Sequence, residues 1–310
     1  MDIQKVGVIG AGQMGNGIAH VLALAGYQVT ITDLNQAALD NARVVIDRNL
    51  ARQVKAAKIT ADQKVDAMAR ISATLALPDL GAADLVIEAA TEKEALKHSI
   101  FEALVPHLQP HTILTSNTSS ISITRLASRT DRPEKFMGFH FMNPVPVMDL
   151  VELIRGIATD KATYDSCLTV VNTLGKTAAS AEDFPAFIVN RILMPMINEA
   201  VYTLYEGVGS AESIDQSMRL GANHPMGPLE LADFIGSTTG LLKYSQSSDS
   251  KEFIVLTESG ILHKMQKESP NKIFHAGLND STCACNDCPH MKLNTMEKLY
   301  ISMKYELPEI

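Results

Sequence analysis

Three glycines close to the N-terminus have the types and the spacing that a phosphate-binding loop requires. The stretch 5–33 reads KVGVIGAGQMGNGIAHVLALAGYQVTITD, and Gly10, Gly12 and Gly15 follow its first apolar run. We expect Gly10 to permit the tight turn off a strand, Gly12 to let a pyrophosphate approach the backbone, and Gly15 to let the next helix pack close to the sheet. Phosphates would then meet free N–H groups at the positive end of that helix.

The same stretch contains the other parts of a dinucleotide-binding unit. A helix-period run ends at Gly26, and a second apolar strand, 28–32, ends on Asp33. A glycine turn with a purely structural role would not require strand, helix, strand and acid in this order. A carboxylate at Asp33 accepts hydrogen bonds from a ribose 2′-hydroxyl but repels a 2′-phosphate, and neither Leu34 nor Asn35 supplies a cation. The stretch therefore predicts binding of NAD rather than NADP.

Four polar residues farther along the chain are candidates for a site because of where they stand. Glu92, Asn117, Ser119 and His140 lie at or just beyond the ends of apolar, strand-like runs. In an open α/β sheet, ligands bind outside the carboxyl ends of the strands. Any one of these residues alone could instead be a turn former or a satisfied structural residue, so their common placement carries the prediction.

The elements that would position these residues form an α/β pattern up to about residue 183. Apolar runs at 85–90, 113–116, 136–141 and 151–154 alternate with helix-period segments, and we expect 151–154 to be the last strand. This alternation predicts a Rossmann-type domain over 1–183, built on a doubly wound parallel sheet.

An all-helical segment is expected to follow. The pattern predicts a long helix from about Phe184 to Tyr205 with Pro195 inside it, then a helix capped by Ser210 that ends near Gly221, and another that begins at Leu229. The apolar stripe of the long helix is expected to pack against other helices; it comprises Leu193, Met196, Ile197, Ala200, Val201 and Leu204.

Composition narrows the class of protein. The 310 residues are 46% hydrophobic and 20% charged, which is typical of a globular chain, and the net charge of −8 argues against nucleic acid or an anionic membrane as a partner. No apolar run approaches the roughly 20 residues that span a bilayer, and the first strand begins too early to leave room for a signal peptide. We therefore expect a cytoplasmic protein.

A basic helix follows the acid of the dinucleotide unit. Arg48, Arg52, Lys55 and Lys58 lie on or near one surface of the segment 35–59. The simpler interpretation is a solvent-exposed helix face, and the alternative is a binding site for a phosphate-bearing tail of the substrate. Lys58 is the best single candidate for such a contact.

Several long strings in residues 1–236 resemble one enzyme family. These strings are VGVIGAGQMGNGIAH, IEAATE, SNTSS, GFHFMNPVPVMDLVE, FIVNRILMPMINEA and HPMGPLELADFIG. They are similar to the L-3-hydroxyacyl-CoA dehydrogenase family, and within it to bacterial enzymes that act on 3-hydroxybutyryl-CoA. The resemblance implies NAD-dependent oxidation of a 3-hydroxyacyl-CoA to a 3-oxoacyl-CoA, or the reverse, and a homodimer, in fatty acid and butanoate metabolism.

The resemblance also implies roles for single residues. The family's catalytic histidine falls on His140, its partner carboxylate on Glu152, and its substrate-contacting polar residues on Ser119 and Asn190. Its cofactor contacts fall on Gly10, Gly12, Gly15, Asp33, Glu92, Lys97 and Asn117. The chemistry requires such groups in any case, because hydride leaves a carbinol carbon only as its hydroxyl proton is removed, and histidine is a suitable base near neutral pH.

The C-terminal stretch departs from that family after about Gly236. The strings STTGLLKYSQSSDSKEFIVLTESGILHKMQKESPNK and CACNDCPHMKLNTMEKLYISMKYELPEI in residues 237–310 resemble part of quinolinate synthase, an iron–sulfur enzyme. We therefore expect a chimera in which 184–236 is an incomplete helical domain and 237–310 is a small α/β tail. In this tail the pattern predicts a strand at 253–257 and helices at 260–267 and 293–304. Cys288 would match one cluster ligand, which is too few for an iron–sulfur cluster. Three of the four cysteines lie within 283–288, and together with His290 they could bind zinc. Free thiols are the simpler expectation.

Two alternatives to an active dehydrogenase follow from that departure. The chain could bind NAD without turnover because the replaced tail spoils the substrate domain. It could also retain residual iron–sulfur chemistry of the quinolinate synthase type.

Overall fold

The structure, a computed structural model, describes residues 2–232, 245–247, 252–255 and 260–276. The chain divides into two compact units, residues 1–190 and 191–310.

The first unit is built on an eight-stranded sheet. Its strands are β1 (Lys5–Ile9), β2 (Gln28–Thr32), β3 (Ile71–Thr74), β4 (Leu85–Glu88), β5 (Ile113–Ser116), β6 (Phe136–Phe141), β7 (Leu150–Arg155) and β8 (Thr177–Glu182). Their spatial order is β3-β2-β1-β4-β5-β6-β7-β8, and every neighbouring pair is parallel except β6 and β7, which are antiparallel. The reversal of strand order between β1 and β4 confirms the Rossmann-type topology predicted from the sequence.

Helices connect the strands of this unit. They are α1 (Gln13–Leu24), α2 (Gln36–Lys55), α3 (Ala61–Ala69), α4 (Glu94–Leu104), α5 (Ile123–Ala127) and α6 (Lys161–Thr173). Another helix, α7 (Val189–Tyr205), begins at the end of the unit and continues into the second.

Both faces of the sheet are buried, because consecutive strand residues belong to different hydrophobic clusters. Val8 belongs to the same hydrophobic cluster as Ile18 of α1 and Ile46 of α2, whereas its neighbour Ile9 belongs to the cluster that contains Phe101 of α4. Strands that are apolar on both sides are what a sheet covered by helices on two faces requires. The apolar runs of the sequence were therefore a reliable signal for strands.

Two expectations about the end of the first unit are wrong. The strand at 150–155 is not the last, since β8 follows and pairs with it in parallel. The helix expected from Phe184 begins only at Val189, because Pro185 stands in the turn before it and Ala186 and Phe187 both adopt positive φ angles, 65° and 53°.

The described part of the second unit contains helices and one pair of strands. These are the continuation of α7, with Pro195 inside it, α8 (Ala211–Gly221), β9 (Glu252–Val255), α9 (Gly260–Glu268) and β10 (Ile273–Ala276). Ser210 caps α8 as predicted, accepting a hydrogen bond from the Ser213 N–H at 3.2 Å. On the predicted stripe of α7, Ile197 and Ala200 are buried, and the other four residues are partly buried.

The predicted tail elements are partly within the described residues. The strand expected at 253–257 is β9, the helix expected at 260–267 is α9, and β10 pairs in parallel with β9. Residues 229–232 form turns rather than the start of the expected helix. The helix expected at 293–304 and the cysteines at 283–288 lie outside the described residues.

Candidate active site

The glycine loop between β1 and α1 has the shape that a dinucleotide phosphate needs. Gly10 has a φ of +99°, and a Cβ there would lie 2.6 Å from the carbonyl oxygen of Ala89. A Cβ on Gly15 would lie 1.8 Å from the carbonyl oxygen of Gly10, so this glycine is required by the loop itself as much as by the sheet. A Cβ on Gly12 would meet nothing within 4 Å, which leaves open space beside the backbone.

The first turn of α1 also suits an anion. Gly12 stands at its N-cap with no side-chain hydrogen bond, and the first turn carries no acidic residue. Its N-terminal N–H groups are therefore not capped by a side chain, and no carboxylate opposes the positive end of the helix dipole. The loop fits the pyrophosphate of NAD.

Asp33 is held beside the glycine loop at the end of β2. Its Oδ2 accepts a hydrogen bond from the Ala11 N–H at 2.8 Å, and its Oδ1 accepts one from the Asn35 N–H at 3.1 Å. The loop is tied to the same strand end, because the Gly10 N–H donates to the carbonyl of Thr32 at 2.8 Å. The carboxylate is thus oriented by the backbone around it.

His140 and Glu152 face each other across the only antiparallel pair of the eight-stranded sheet. The register of β6 and β7 places the two residues directly opposite. The Nδ1 of His140 lies 2.8 Å from Oε2 of Glu152, and its Nε2 lies 3.1 Å from Oγ of Ser119. The carboxylate makes Nδ1 the protonated nitrogen, so Nε2 is left as an acceptor aimed at the serine hydroxyl.

Glu152 is fully buried, and several donors keep it ionised. Burial raises the pKa of its carboxyl, but the hydrogen bond with His140 and the N–H groups of Val189 and Ile188 outweigh that effect, so the pKa lies below its usual value. These N–H groups donate to Oε1 at 2.9 and 3.1 Å, which leaves Oε2 for the histidine. One carboxylate therefore connects the histidine to the start of α7.

Phe187 packs against the histidine from the turn before α7. Its ring meets the His140 ring edge to face, with the centroids 5.8 Å apart, and only 4% of Phe187 is exposed. A buried aromatic ring excludes water from the histidine and carboxylate pair and limits rotation of the imidazole.

Ser119 lies in the turn that follows β5, and Glu92 holds this turn. One oxygen of Glu92 accepts hydrogen bonds from the Thr118 hydroxyl, from the Ser119 N–H at 2.9 Å and from the Ser120 N–H at 3.2 Å. Burial raises the pKa of Glu92, but the charge of Lys97 and these hydrogen bonds lower it below its usual value.

The other predicted site residues have the following placements. The Oδ1 of Asn117 accepts from the Phe141 N–H at 2.8 Å and so links β5 to β6, and Asn190 is half-buried in the first turn of α7. Lys97 is 1% exposed, with Nζ 2.8 Å from Oε1 of Glu88. Lys58 is exposed just beyond the end of α2. The other three basic residues of that surface are exposed on α2 itself.

Sequence reasoning missed three residues of the site: Glu88, Thr118 and Phe187. Each acts through a contact with a residue distant in sequence, and no local pattern singles it out. The one available signal is the acid Glu88 at the end of an apolar strand, because a buried carboxylate needs a partner.

Among the described residues, no group of three or more His, Cys, Asp or Glu side chains is placed to hold a metal ion. Cys167 is buried, and burial raises the pKa of its thiol to about 12, so it is not a nucleophile. The zinc or cluster candidates Cys288 and its neighbours lie outside the described residues. Within the described part of the chain, no helix is both long and apolar enough to cross a bilayer.

A dinucleotide loop at one strand end and a histidine–carboxylate pair at another define a dehydrogenase of the Rossmann class. Family models agree: residues 5–184 match the NAD-binding domain of 3-hydroxyacyl-CoA dehydrogenase, and residues 187–272 match its C-terminal domain. The chain belongs to the 3-hydroxyacyl-CoA dehydrogenase family and is an NAD-dependent enzyme of that class.

Individual relatives are similar over most of their length. The 3-hydroxybutyryl-CoA dehydrogenase of Bradyrhizobium diazoefficiens is 62% identical over 239 residues, which is 77% of this chain and 82% of the relative. A probable 3-hydroxybutyryl-CoA dehydrogenase of Bacillus subtilis is 48% identical over 255 residues, which is 81% of this chain and 89% of the relative. The crystal structure of (S)-3-hydroxybutyryl-CoA dehydrogenase from Ralstonia eutropha matches with a TM-score of 0.74 at 42% identity, covering 87% of this chain and 90% of that one.

The expected change of family after Gly236 is corrected by these matches. The C-terminal domain of the dehydrogenase family extends to residue 272, and the comparisons give no support for a quinolinate synthase fragment or for iron–sulfur chemistry. Short strings in 237–310 do not show which domain they complete, whereas the helices of the C-terminal domain begin well before residue 236 and the domain continues past it.

Proposed function

We propose that this enzyme interconverts (S)-3-hydroxybutyryl-CoA and acetoacetyl-CoA, with His140 as the general base and acid. The observation that carries the proposal is the connected set of three side chains, in which Ser119 Oγ, the two nitrogens of His140 and Glu152 Oε2 follow one another at 3.1 and 2.8 Å. The similar enzymes named above act on 3-hydroxybutyryl-CoA, which supports the choice of acyl chain.

In the oxidative direction, the reaction requires removal of a proton and a hydride. When bound, NAD supplies the nicotinamide that accepts the hydride. The Nε2 of His140 takes the proton of the substrate hydroxyl, while the Nδ1–H stays hydrogen-bonded to Glu152. In the reverse direction the same nitrogen returns the proton to the oxygen of the 3-oxo group.

Glu152 has two roles in this proposal. It selects the tautomer in which Nε2 is free to accept a proton, and it stabilises the imidazolium that forms. Its depressed pKa keeps it ionised at neutral pH, as both roles require. The groups that would contact the substrate oxygen as its charge changes are the Ser119 hydroxyl and the Asn190 amide.

The residues that would hold the ligands follow from the geometry of the first unit. Gly10, Gly12 and Gly15 would border the pyrophosphate of NAD, and Asp33 its adenosine ribose. Contacts of Glu92, Lys97 and Asn117 with the cofactor stay predictions. For the CoA phosphates, the exposed basic residues that end at Lys58 are the candidate contacts. The homodimer and the cytoplasmic location stay predictions as well.

The substitution His140→Gln tests the proposal. Glutamine cannot take up the proton, so kcat for reduction of acetoacetyl-CoA by NADH should fall by about a thousandfold or more, while the Kd of NADH changes little. The matched control is His111→Gln, because His111 also pairs with a carboxylate, Asp84 at 3.2 Å, but is exposed and lies at the opposite ends of the strands. The control should keep its full kcat.

Two results would contradict the proposal. Unchanged turnover in His140→Gln would remove the histidine from the chemistry. Tight NADH binding by the unsubstituted enzyme, without any reduction of acetoacetyl-CoA or longer 3-oxoacyl-CoA substrates, would favour the inactive NAD-binding chain considered from the sequence.

A further inference from the structure

The turn that carries Ser119 is held by a single carboxylate oxygen. Oε1 of Glu92 accepts from the Thr118 hydroxyl and from the backbone N–H groups of Ser119 and Ser120, and the Ser120 hydroxyl lies 3.3 Å from it. The Thr118 hydroxyl in turn accepts from the Ile121 N–H at 2.9 Å. The backbone of the serine is thus fixed directly by Glu92, and its neighbours are fixed by the same atom.

A buried ion pair stands behind Glu92. The ammonium of Lys97 lies 2.8 and 2.9 Å from the two oxygens of Glu88 and 3.4 Å from Oε2 of Glu92. Glu88 is 0% exposed and also accepts from the Ser116 hydroxyl at 2.5 Å and from the Ala90 N–H at 2.7 Å. The ammonium therefore already has partners for its three donors within the protein, including the carbonyl of Ala90 at 3.5 Å.

A continuous series of contacts connects Glu88, at the buried end of β4, to the serine and histidine of the site. Glu88 orients Lys97, Lys97 orients Glu92, and Glu92 fixes the turn whose serine hydroxyl contacts Nε2 of His140 at 3.1 Å. All of these contacts lie within the first unit.

We propose that Glu92 is a positioning residue, which sets the place of the Ser119 hydroxyl beside His140, and that Lys97 and Glu88 support this placement through Glu92. The proposal rests on the role of Ser119 in the proposed function. It is separate from the predicted contacts of Glu92 and Lys97 with the cofactor, because it concerns the geometry of the serine. Since a displacement of about 1 Å in a reacting group can cost about 100-fold in rate, loss of this carboxylate should act on kcat.

The test compares Glu92→Ala, Ser119→Ala and the double variant, with acetoacetyl-CoA and saturating NADH. If Glu92 acts through the serine, each single variant should lower kcat by about tenfold or more, and the double variant should be no slower than Ser119→Ala. Saturating NADH keeps out of the measured kcat any change in cofactor affinity that the predicted contact of Glu92 with NAD would cause. Glu92→Gln, which keeps one acceptor for the turn, should recover part of kcat.

The matched control is Glu94→Ala, two residues along the same segment. Its carboxylate pairs with Arg125 and His98 and does not contact the turn, so kcat should be unchanged. If Glu92→Ala does not fold, Thr118→Val gives a second test, because it removes the hydroxyl that links Glu92 to the turn, together with the bonds this hydroxyl accepts from the Ser120 and Ile121 N–H groups, and leaves the charges in place.

Three outcomes would overturn the proposal. The first is that the effects of Glu92→Ala and Ser119→Ala multiply in the double variant. The second is that Glu92→Ala raises the Kd of NADH at least tenfold with kcat at saturation unchanged, which would assign Glu92 to the cofactor. The third is an unchanged kcat in Ser119→Ala, which would also remove Ser119 from the proposed function and leave the His140→Gln result as a separate test of the base.

Discussion

In the proposed mechanism, the ionised state of one buried carboxylate decides which nitrogen of the histidine accepts the proton. Glu152 receives two backbone N–H groups on one oxygen and the imidazole on the other, so its charge is compensated although it is fully buried. A neutral residue at this position would leave His140 without a preferred tautomer. The pair is therefore one functional group in chemical terms.

The substitution Glu152→Gln tests this interpretation. Glutamine can still accept from the backbone N–H groups, but it carries no charge to stabilise the imidazolium, and its amide can turn an N–H towards the histidine. We expect kcat to fall by about 100-fold or more, with NADH affinity retained. Glu182→Gln is the matched control, because Glu182 is exposed on the neighbouring strand β8. A loss of less than about threefold in Glu152→Gln would contradict the assigned role.

Asp33 allows a second prediction for a single residue. Its charge should exclude a 2′-phosphate, and Asn keeps an oxygen for the Ala11 N–H while removing that charge. In Asp33→Asn the ratio of kcat/KM for NADH to kcat/KM for NADPH should fall by roughly 100-fold, from Coulomb repulsion over about 5 Å at an effective dielectric constant of about 20. Steady-state kinetics with both cofactors measures the ratio, and an unchanged ratio would show that another residue selects the cofactor.

Four helices end in the same way, and one of them does so with an unfavourable residue. After α1, α6 and α7 the chain turns through Gly26, Gly175 and Gly207 at positive φ, but after α2 it turns through Ala57 at a φ of 54°. The hydrogen bonds are those of a Schellman motif: the Ala57 N–H donates to Val54 and the Lys58 N–H to Gln53, both at 2.9 Å.

The substitution Ala57→Gly should therefore stabilise the protein. Glycine adopts the left-handed conformation without a Cβ penalty, so the free energy of unfolding should rise by about 0.5–1 kcal/mol. Urea unfolding measures the change. The matched reverse change is Gly26→Ala, where a Cβ would meet nothing within 4 Å and only backbone strain is added. It should destabilise by about 1 kcal/mol, and equal effects of the same sign would contradict this account.

For the molecule as a whole, a buried histidine links stability to pH. His20 of α1 is 1% exposed, its Nδ1 has no hydrogen-bond partner, and its Nε2 lies 3.3 Å from Oε1 of Gln53. Burial lowers the pKa of His20, and the nearby charge of Lys176 lowers it further. Below about pH 6.5 the unfolded chain takes up a proton that the folded protein does not, so stability falls as pH falls.

The substitution His20→Phe isolates this effect. Between about pH 7.5 and 5.5 the free energy of unfolding of the unsubstituted protein should fall more steeply than that of the variant, by up to about 1.4 kcal/mol per pH unit below the unfolded-state pKa. Urea unfolding at a series of pH values measures both slopes. Identical slopes would mean that His20 titrates alike in the folded and unfolded chains.

Six of the eight strands of the first unit could be predicted because they are short apolar runs. The other two, β3 and β8, could not, because most of their residues are small or polar and are not buried. The loop of Gly10, Gly12 and Gly15 could be predicted because each glycine meets a local requirement of the backbone. The late start of α7 could not be predicted, because two non-glycine residues adopt positive φ angles there. The tail was misassigned because short strings do not report which domain they complete.

By itself, the order of residues determined the dinucleotide loop, the acid at the end of its second strand, the alternation of strands and helices, and the family to which the chain belongs. Only the tertiary structure decided that β7 runs antiparallel, and hence that Glu152 stands opposite His140. It also decided that Glu92 holds a turn 26 residues away and that Lys97 is buried between two acids. The reason is physical: local patterns depend on neighbours in the chain, whereas contacts between strand ends depend on sheet order and register, which follow from packing of the whole domain.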